Sequence, residues 1–341
     1  MITETEKEIL SQKNLIDKIV NTYFKGNKLN FPSIDKEKYK EVKFIASGSS
    51  YNAARLGHKF FEENYDIIAN FEYSSEFISN PNRKIKNDTL YVFVSQSGKT
   101  YDTGYALDIV KKEGGNTFSF VNNSNSKIYN EADYKVDVMA GVENSIAATK
   151  SFSACVICLW LFSKYFSCEN SNILNELTEA KKAINDIFSM ENEILKGANF
   201  LAKQKSVSII GYGTGYILAK ETALKIKETS YIHSCAYPTG EFLHGHSAIL
   251  NEHKALIEIF TSDMKNFEKN TLLKIKKDFN PEILSITDFD TNELSIKFPK
   301  YNYAISKICA ICVILQLLAL KTALISGENV DKPKGLNKVV T

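Results

Sequence analysis

VKFIASGSSYNAA, residues 42–54, and VSIIGYGTGYILA, residues 207–219, decide the fold. Each is a short run rich in β-branched and aromatic residues, then a loop of small residues, then a helical pattern. A second strand repeats as well, LYVFVSQSG at 90–98 and ALIEIFTSD at 255–263. Each copy closes on a long apolar segment, FSACVICLWLF at 152–162 and ISKICAICVILQLL at 305–318. Alternating strand, loop and helix predict a parallel sheet covered on both faces. The fold class is therefore α/β: two doubly wound parallel-sheet domains, αβα sandwiches in tandem, arranged as a pseudo-dimer. The offset between the copies far exceeds the period of solenoid repeats.

Outward from these copies, ETEKEILSQKNLIDKIVNTYF at 4–24 places Ile9, Leu10, Ile16, Ile19 and Val20 at helical spacings. The expected organisation is an N-terminal helix at 1–30, a first domain at 31–172, a helical linker at 173–203, a second domain at 204–326 and a tail at 327–341. The tail is short and polar and holds Pro333 and Gly335, so it is expected to be a coil lying over another part of the molecule, which the resemblance described below makes the active site.

Composition narrows the functions. A net charge of +2 supplies no basic field for nucleic acid. The apolar run Ile308–Leu320 is interrupted by Gln316 and is shorter than the roughly 20 residues of a membrane span, so a buried helix is expected. Glu4, Glu6, Lys7 and Glu8 interrupt any signal-peptide core, which leaves a cytoplasmic location as the default. Cys155-x-x-Cys158 and Cys309-x-x-Cys312 have half the spacing of a zinc site each, but they lie in continuous apolar segments without knuckle turns. They are expected to be core packing. Cys168 and Cys235 suggest nothing further. His246 and His253 lack a third ligand, and His58 and His233 are taken as structural, so neither metal nor cofactor is expected.

Two stretches carry chemistry. Ser95-Gln96-Ser97-Gly98-Lys99-Thr100 joins a strand to a helix, where backbone donors and a helix N-terminus favour an anion. Ser95, Ser97 and Thr100 add hydroxyls, and Gly98 permits close approach. A helix cap is the competing account. Ser47-Gly48-Ser49-Ser50 occupies the same kind of junction, so two hydroxyl-rich loops should face one crevice. In the second copy, GYGTG at 211–215 lacks the dinucleotide spacing, and Thr261-Ser262-Asp263 puts a carboxylate where an anion would sit. One phosphate site per chain follows.

The other stretch is LAKETALKIKETSYIHSCAYPTGEFLHGHSAIL at 218–250. Glu221, Lys225 and Glu228 share one helix face, which by itself is a solvated stripe with a salt bridge. The glycine-flanked loop after it, with Glu241, His244 and His246, adds the groups of acid–base catalysis.

With SGSSYNAA, SQSG-x-T, VENSIAATKSF at 142–152, LKIKETSYIH, GEFLHG and the terminal LNKVVT, the chain resembles the double sugar-isomerase (SIS) domain family, in particular the isomerase half of glucosamine-6-phosphate synthase, over roughly 35–341. The resemblance implies that Ser50, Ser95, Gln96, Ser97 and Thr100 hold a sugar phosphate and that Ile146, Ala148 and Thr149 line the same pocket. It implies Glu228 as the base between C1 and C2 with Lys225 nearby, and His244 as the ring-opening group, often from a neighbouring subunit, hence a homodimer. Lys338 in the tail would reach the sugar carbonyl. Lys99 and His246 depart from the synthase, which has glutamate and proline there. Met1-Ile2-Thr3 begins a helix, so no glutaminase domain and no glutamine hydrolysis are expected. Three functions fit: a hexose or amino-hexose 6-phosphate isomerase with or without ammonia release, a deglycase of a phosphorylated fructosyl-amino acid, and a non-catalytic sugar-phosphate sensor. The acid–base set favours an enzyme.

Overall fold

The computed structural model describes residues 2–64, 67–167, 172–261 and 265–338. They form two units. One holds Asn14–Glu143, Ala148–Leu177 and the tail from Asn337; the other holds the chain up to Lys13, Asn144–Ala147 and Thr178–Leu336.

The first 30 residues are not one helix. α1 (Glu4–Leu10) and α2 (Leu15–Tyr23) are separated by a 3-10 turn at Ser11–Asn14, and a hairpin of β1 (Phe24–Lys25) and β2 (Lys28–Leu29) follows. Two local causes override the helical periodicity. Ser11 Oγ donates to the Glu8 carbonyl at 2.7 Å, drawing on a backbone acceptor of the helix ladder. Gly26, at φ 59°, takes the left-handed conformation that a two-residue hairpin turn needs.

The first unit contains β3 (Glu41–Ala46), α3 (Gly48–Asn64), β4 (Ile68–Tyr73), α4 (Ser74–Ser79), β5 (Thr89–Ser95), α5 (Tyr101–Lys112), β6 (Asn116–Val121), α6 (Lys127–Glu131), β7 (Tyr134–Asp137) and α7 (Lys150–Ser167). Its sheet is parallel, in the order β4-β3-β5-β6-β7. Alternation along the strands loads both faces, as a sheet covered twice demands. Ile45, Tyr91, Phe93 and Val121 pack with Leu107 and Val110 of α5. On the opposite face Phe118 and Phe120 lie 4.6 and 5.1 Å from the ring of Phe162 on α7, and Phe61 of α3 lies 5.3 Å from the same ring.

The stretch expected to be linker helices forms α8 (Ile173–Ile187) and α9 (Glu191–Leu201). α9 is more than a linker. A Cβ added at its Gly197 would sit 3.0 Å from Ile296 and 3.2 Å from Leu318, so the helix is pressed into the second unit.

The second unit repeats the plan with β8 (Ser206–Gly211), α10 (Thr214–Ser230), β9 (His233–Pro238), α11 (Thr239–Phe242), β10 (Ala255–Ile259), α12 (Asn266–Phe279), β11 (Glu282–Thr287), β12 (Leu294–Lys297) and α13 (Ala304–Ile325). Its parallel sheet runs β12-β11-β10-β8-β9. In both sheets the chain's first strand lies between the second and the third. That order creates a switch point where loops leave adjacent strand ends in opposite directions, the place where open α/β sheets receive ligands.

α13 is longer than the apolar run suggested. Its 22 residues satisfy the length and hydropathy of a span, but 83% of its most apolar window is buried inside the protein. Gln316, which interrupts the run, accepts a 2.7 Å bond from Gln12 Nε2, so the polar break has a buried partner in its own unit.

Candidate active site

In the first unit the switch point falls between β3 and β5, whose ends pair in register at Ala46 and Val94. The two serine loops emerge there side by side. α3 begins at Gly48 and α5 at Tyr101, and the first amides of each helix have no partner within the helix. The hydroxyls of the second loop fold it rather than cap α5. Ser95 Oγ accepts from the Gly98 amide at 3.0 Å, and Ser97 Oγ accepts from the Lys99 amide at 3.1 Å. Each hydroxyl used as an acceptor keeps its own proton to donate. Thr100, at the N-cap position, makes no side-chain cap bond, and its Oγ1 is 3.4 Å from Ser95 Oγ. The loop's carbonyls are tied down elsewhere: Gln96 O accepts from the Asn122 amide, Ser97 O from Asn123 Nδ2 and Gly98 O from the Ile128 amide. The segment thus ties three carbonyls away and, with the Gly98 and Lys99 amides spent on Ser95 and Ser97, offers an anion hydroxyl protons rather than those amides.

Gly98 is required twice over. Its φ is 63°, and an added Cβ would lie 1.9 Å from Ser126 Oγ and 2.8 Å from Val121 Cγ1. Beside the loop, Ser49, Ser50, Gln96, Ala148 and Ser151 line a cavity of about 10 Å³. That volume admits one water-sized group, so a phosphate ester enters only as these side chains turn aside. The structure therefore brings Ser50, Gln96 and Ala148 to one cavity and Ser95, Ser97 and Thr100 to the adjoining turn. Ile146 is not among the residues that line this cavity, and its amide donates to the Asp331 carbonyl at 3.4 Å.

Glu143 is the residue that reading the sequence missed. Its side chain is fully buried. It accepts from the Thr149 amide (3.0 Å), Thr149 Oγ1 (3.3 Å), the Ser151 amide (3.1 Å) and Ser151 Oγ (2.7 Å). It therefore caps the N-terminus of α7 from six residues upstream. Lys338 Nζ completes the shell at 2.8 Å. Burial pushes the Glu143 carboxyl up, but the Lys338 charge and the bonds from Lys338, Ser151 and Thr149 outweigh it and hold the group below the usual glutamate range. A carboxylate shortly before two hydroxyl residues at a helix start was the available signal.

The acid–base face lies on α10 of the second unit and is not a solvated stripe. Lys225 and Glu221 are both 3% exposed at the side chain, with Nζ 3.7 Å from Glu221 Oε1. Lys225 also bonds the Glu228 carboxylate, whose side chain is 21% exposed. The order along the face is buried carboxylate, buried ammonium, then a carboxylate that reaches solvent. α10 ends at Ser230 because Tyr231 adopts the left-handed conformation, φ 56°. His244 is exposed, its amide bonded to the Glu241 carbonyl at 2.9 Å, and among the described residues its ring has no hydrogen-bond partner. The His246 ring packs 4.4 Å from Tyr237.

At the second switch point Thr214 Oγ1 donates to Thr261 Oγ1 at 2.9 Å, and a Cβ at Gly215 would meet the Ile259 carbonyl at 2.8 Å. The hydroxyls there bond each other. Ser262 and Asp263, expected to repel an anion, lie outside the described residues, as does Cys168. Cys155 and Cys158 on α7 and Cys309 and Cys312 on α13 are buried, and burial pushes the Cys155 and Cys309 thiols up to about 12. Among the described residues no group of three or more His, Cys, Asp or Glu is placed to hold a metal ion.

Residues 37–164 and 200–320 match the SIS domain. The chain belongs to the SIS-domain family. The first SIS region holds the first sheet with α3 and most of α7, and the second holds the second sheet with most of α13. The chain is 31% identical to glutamine–fructose-6-phosphate aminotransferase [isomerizing] of Campylobacter jejuni and 33% identical to that of Buchnera aphidicola, in each case over 98% of its own length. It spans 58% of the length of each of these relatives. The C-terminal domain of glucosamine-fructose-6-phosphate aminotransferase from Francisella tularensis superposes with a TM-score of 0.89 at 25% identity, covering 98% of both chains. Glucosamine-6-phosphate deaminase from Thermotoga maritima has the same SIS fold, with a TM-score of 0.80 at 23% identity and 99% of both chains covered.

Proposed function

We propose that this protein is a phosphosugar isomerase that moves a proton between C1 and C2 of a hexose or amino-hexose 6-phosphate, with release of ammonia when the substrate carries an amine. The observation that carries the reading is the donor-rich turn Ser95–Thr100 at a sheet switch point, with its acceptors tied away from it. The relatives support it, since they are isomerizing aminotransferases of fructose 6-phosphate by name.

In this reading Ser50, Ser95, Gln96, Ser97 and Thr100 grip the phosphate, with Ala148, Thr149 and Ile146 around the sugar. Glu228 takes the proton from one carbon and returns it to the other. Its bond to Lys225 aims it, while its partial exposure leaves an oxygen for substrate. Lys338 polarises the sugar carbonyl as charge develops on its oxygen. His244 assists ring opening from a neighbouring copy in a homodimer, for which its exposed ring is suited. The reaction is placed in the cytoplasm.

The test is a panel of hexose and amino-hexose 6-phosphates, with ketose formation and ammonia followed separately. Ketose from an aldose phosphate, or ketose with ammonia from the amino sugar, supports the reading. Tight binding without either product overturns it in favour of a sensor.

A further inference from the structure

We infer that Glu143 is a positioning residue that makes docking of the tail lysine and assembly of the phosphate-pocket wall a single event; this rests on the reading above for its bearing on catalysis, but not for its structural content. Glu143 serves two partners that are distant in sequence. From one side it holds the start of α7, through the Thr149 and Ser151 amides and hydroxyls. That helix start carries Ala148, Ser151 and Phe152 into the cavity beside Ser50 and Gln96. From the other side it holds the Lys338 ammonium at 2.8 Å.

A wholly buried carboxylate needs both. Amides and hydroxyls satisfy its lone pairs, but among the described residues the countercharge bonded to it comes from Lys338. With the ammonium withdrawn, Glu143 draws in water or takes a proton, and either response loosens the Thr149 and Ser151 bonds. The pocket wall is thus firm when the tail is docked and softer when it is not. A lysine in a tail coil is given a fixed address by a carboxylate that also shapes the binding wall.

The experiment compares the full chain with Glu143→Gln, Lys338→Met, Lys338→Arg and the double variant, by hydrogen exchange across 144–152 and by turnover. The expected result is faster exchange in that segment, by about tenfold or more, for Lys338→Met and for Glu143→Gln, with no further gain in the double variant. Lys338→Arg keeps the charge and should restore protection while turnover stays low, since it lacks the amine. Unchanged exchange in Lys338→Met, or effects of the two single changes that simply add, overturns the inference. The lysine variants alter a half-buried side chain near the end of the described chain, outside every helix and strand, and keep the test valid even where Glu143→Gln fails to fold. Absent turnover in the unaltered protein would instead count against the proposed function, leaving the exchange result to stand alone.

Discussion

Lys225 Nζ lies 3.7 Å from Glu221 Oε1 with both side chains almost wholly buried, and the same ammonium bonds Glu228 at the solvent edge. One cation thus serves an inner and an outer carboxylate on successive turns of α10. A helix-face reading groups the three residues but does not say which way the face turns. The fold turns it inward.

Removing the cation should be costly. Lys225→Met leaves the Glu221 carboxylate buried without this countercharge, and the expected loss is about 3–5 kcal/mol of unfolding free energy. Adding Glu221→Gln should recover a large part of it. Urea denaturation of the two variants checks this; equal destabilisation by both would show that Lys225 does not act through Glu221.

Gly98→Ala should disable anion binding without touching any hydroxyl. The added carbon meets Ser126 and Val121 well inside contact distance at a positive φ, a combined cost of several kcal/mol, of which about 1–2 kcal/mol is backbone strain. The turn must rearrange, and with it the Ser95 and Ser97 bonds. Titration with a sugar phosphate, alongside circular dichroism to verify the fold, is the measurement, and binding should weaken by at least tenfold.

The Glu143 carboxyl is held below its ordinary value of 4.5, so its contribution to stability is fully present above that pH and is lost as the pH falls through the depressed folded value. Asp331 behaves alike from 3.8, because burial is outweighed by the Thr5 amide and hydroxyl and the Glu4 amide, which bond it at 2.7–3.0 Å. Unfolding free energies measured from pH 7 to 3 should therefore converge for the unaltered protein and Glu143→Gln at the acid end, having been well separated at pH 7.

Glu258 on β10 has the opposite sign. Burial pushes its carboxyl up, and beyond a 3.3 Å bond from Ser285 Oγ to Oε2 its other oxygen has no hydrogen-bond partner among the described residues. An acid raised in the folded state costs stability as the pH rises from 4.5 towards its folded value. Glu258→Gln removes that cost and should raise the thermal midpoint at pH 8 more than at pH 5. A larger gain at pH 5 would contradict the assignment.

Much of this architecture is legible in the chain because it is local. VKFIASGSS and VSIIGYGTG each announce a strand, a turn and a helix within a dozen residues, and the serine loops follow from their place in that pattern. What escapes is non-local. Glu143 gains its meaning from Lys338, and Asp331 from Thr5, pairs separated by most of the chain. The N-terminal hairpin escapes for another reason: the helical periodicity runs almost up to it, and a single glycine at φ 59° turns the chain.

The central claim is that Glu228 moves the proton while the hydroxyl turn holds the ester. Exchange of the C2 proton of a hexose 6-phosphate with solvent deuterium, measured together with binding in the unaltered protein and in Glu228→Gln, tests it most directly. The account predicts exchange in the former, a loss of roughly 10²–10⁴-fold in the latter, and a dissociation constant that hardly moves. Exchange that survives the substitution, or binding that falls in step with it, would contradict the account.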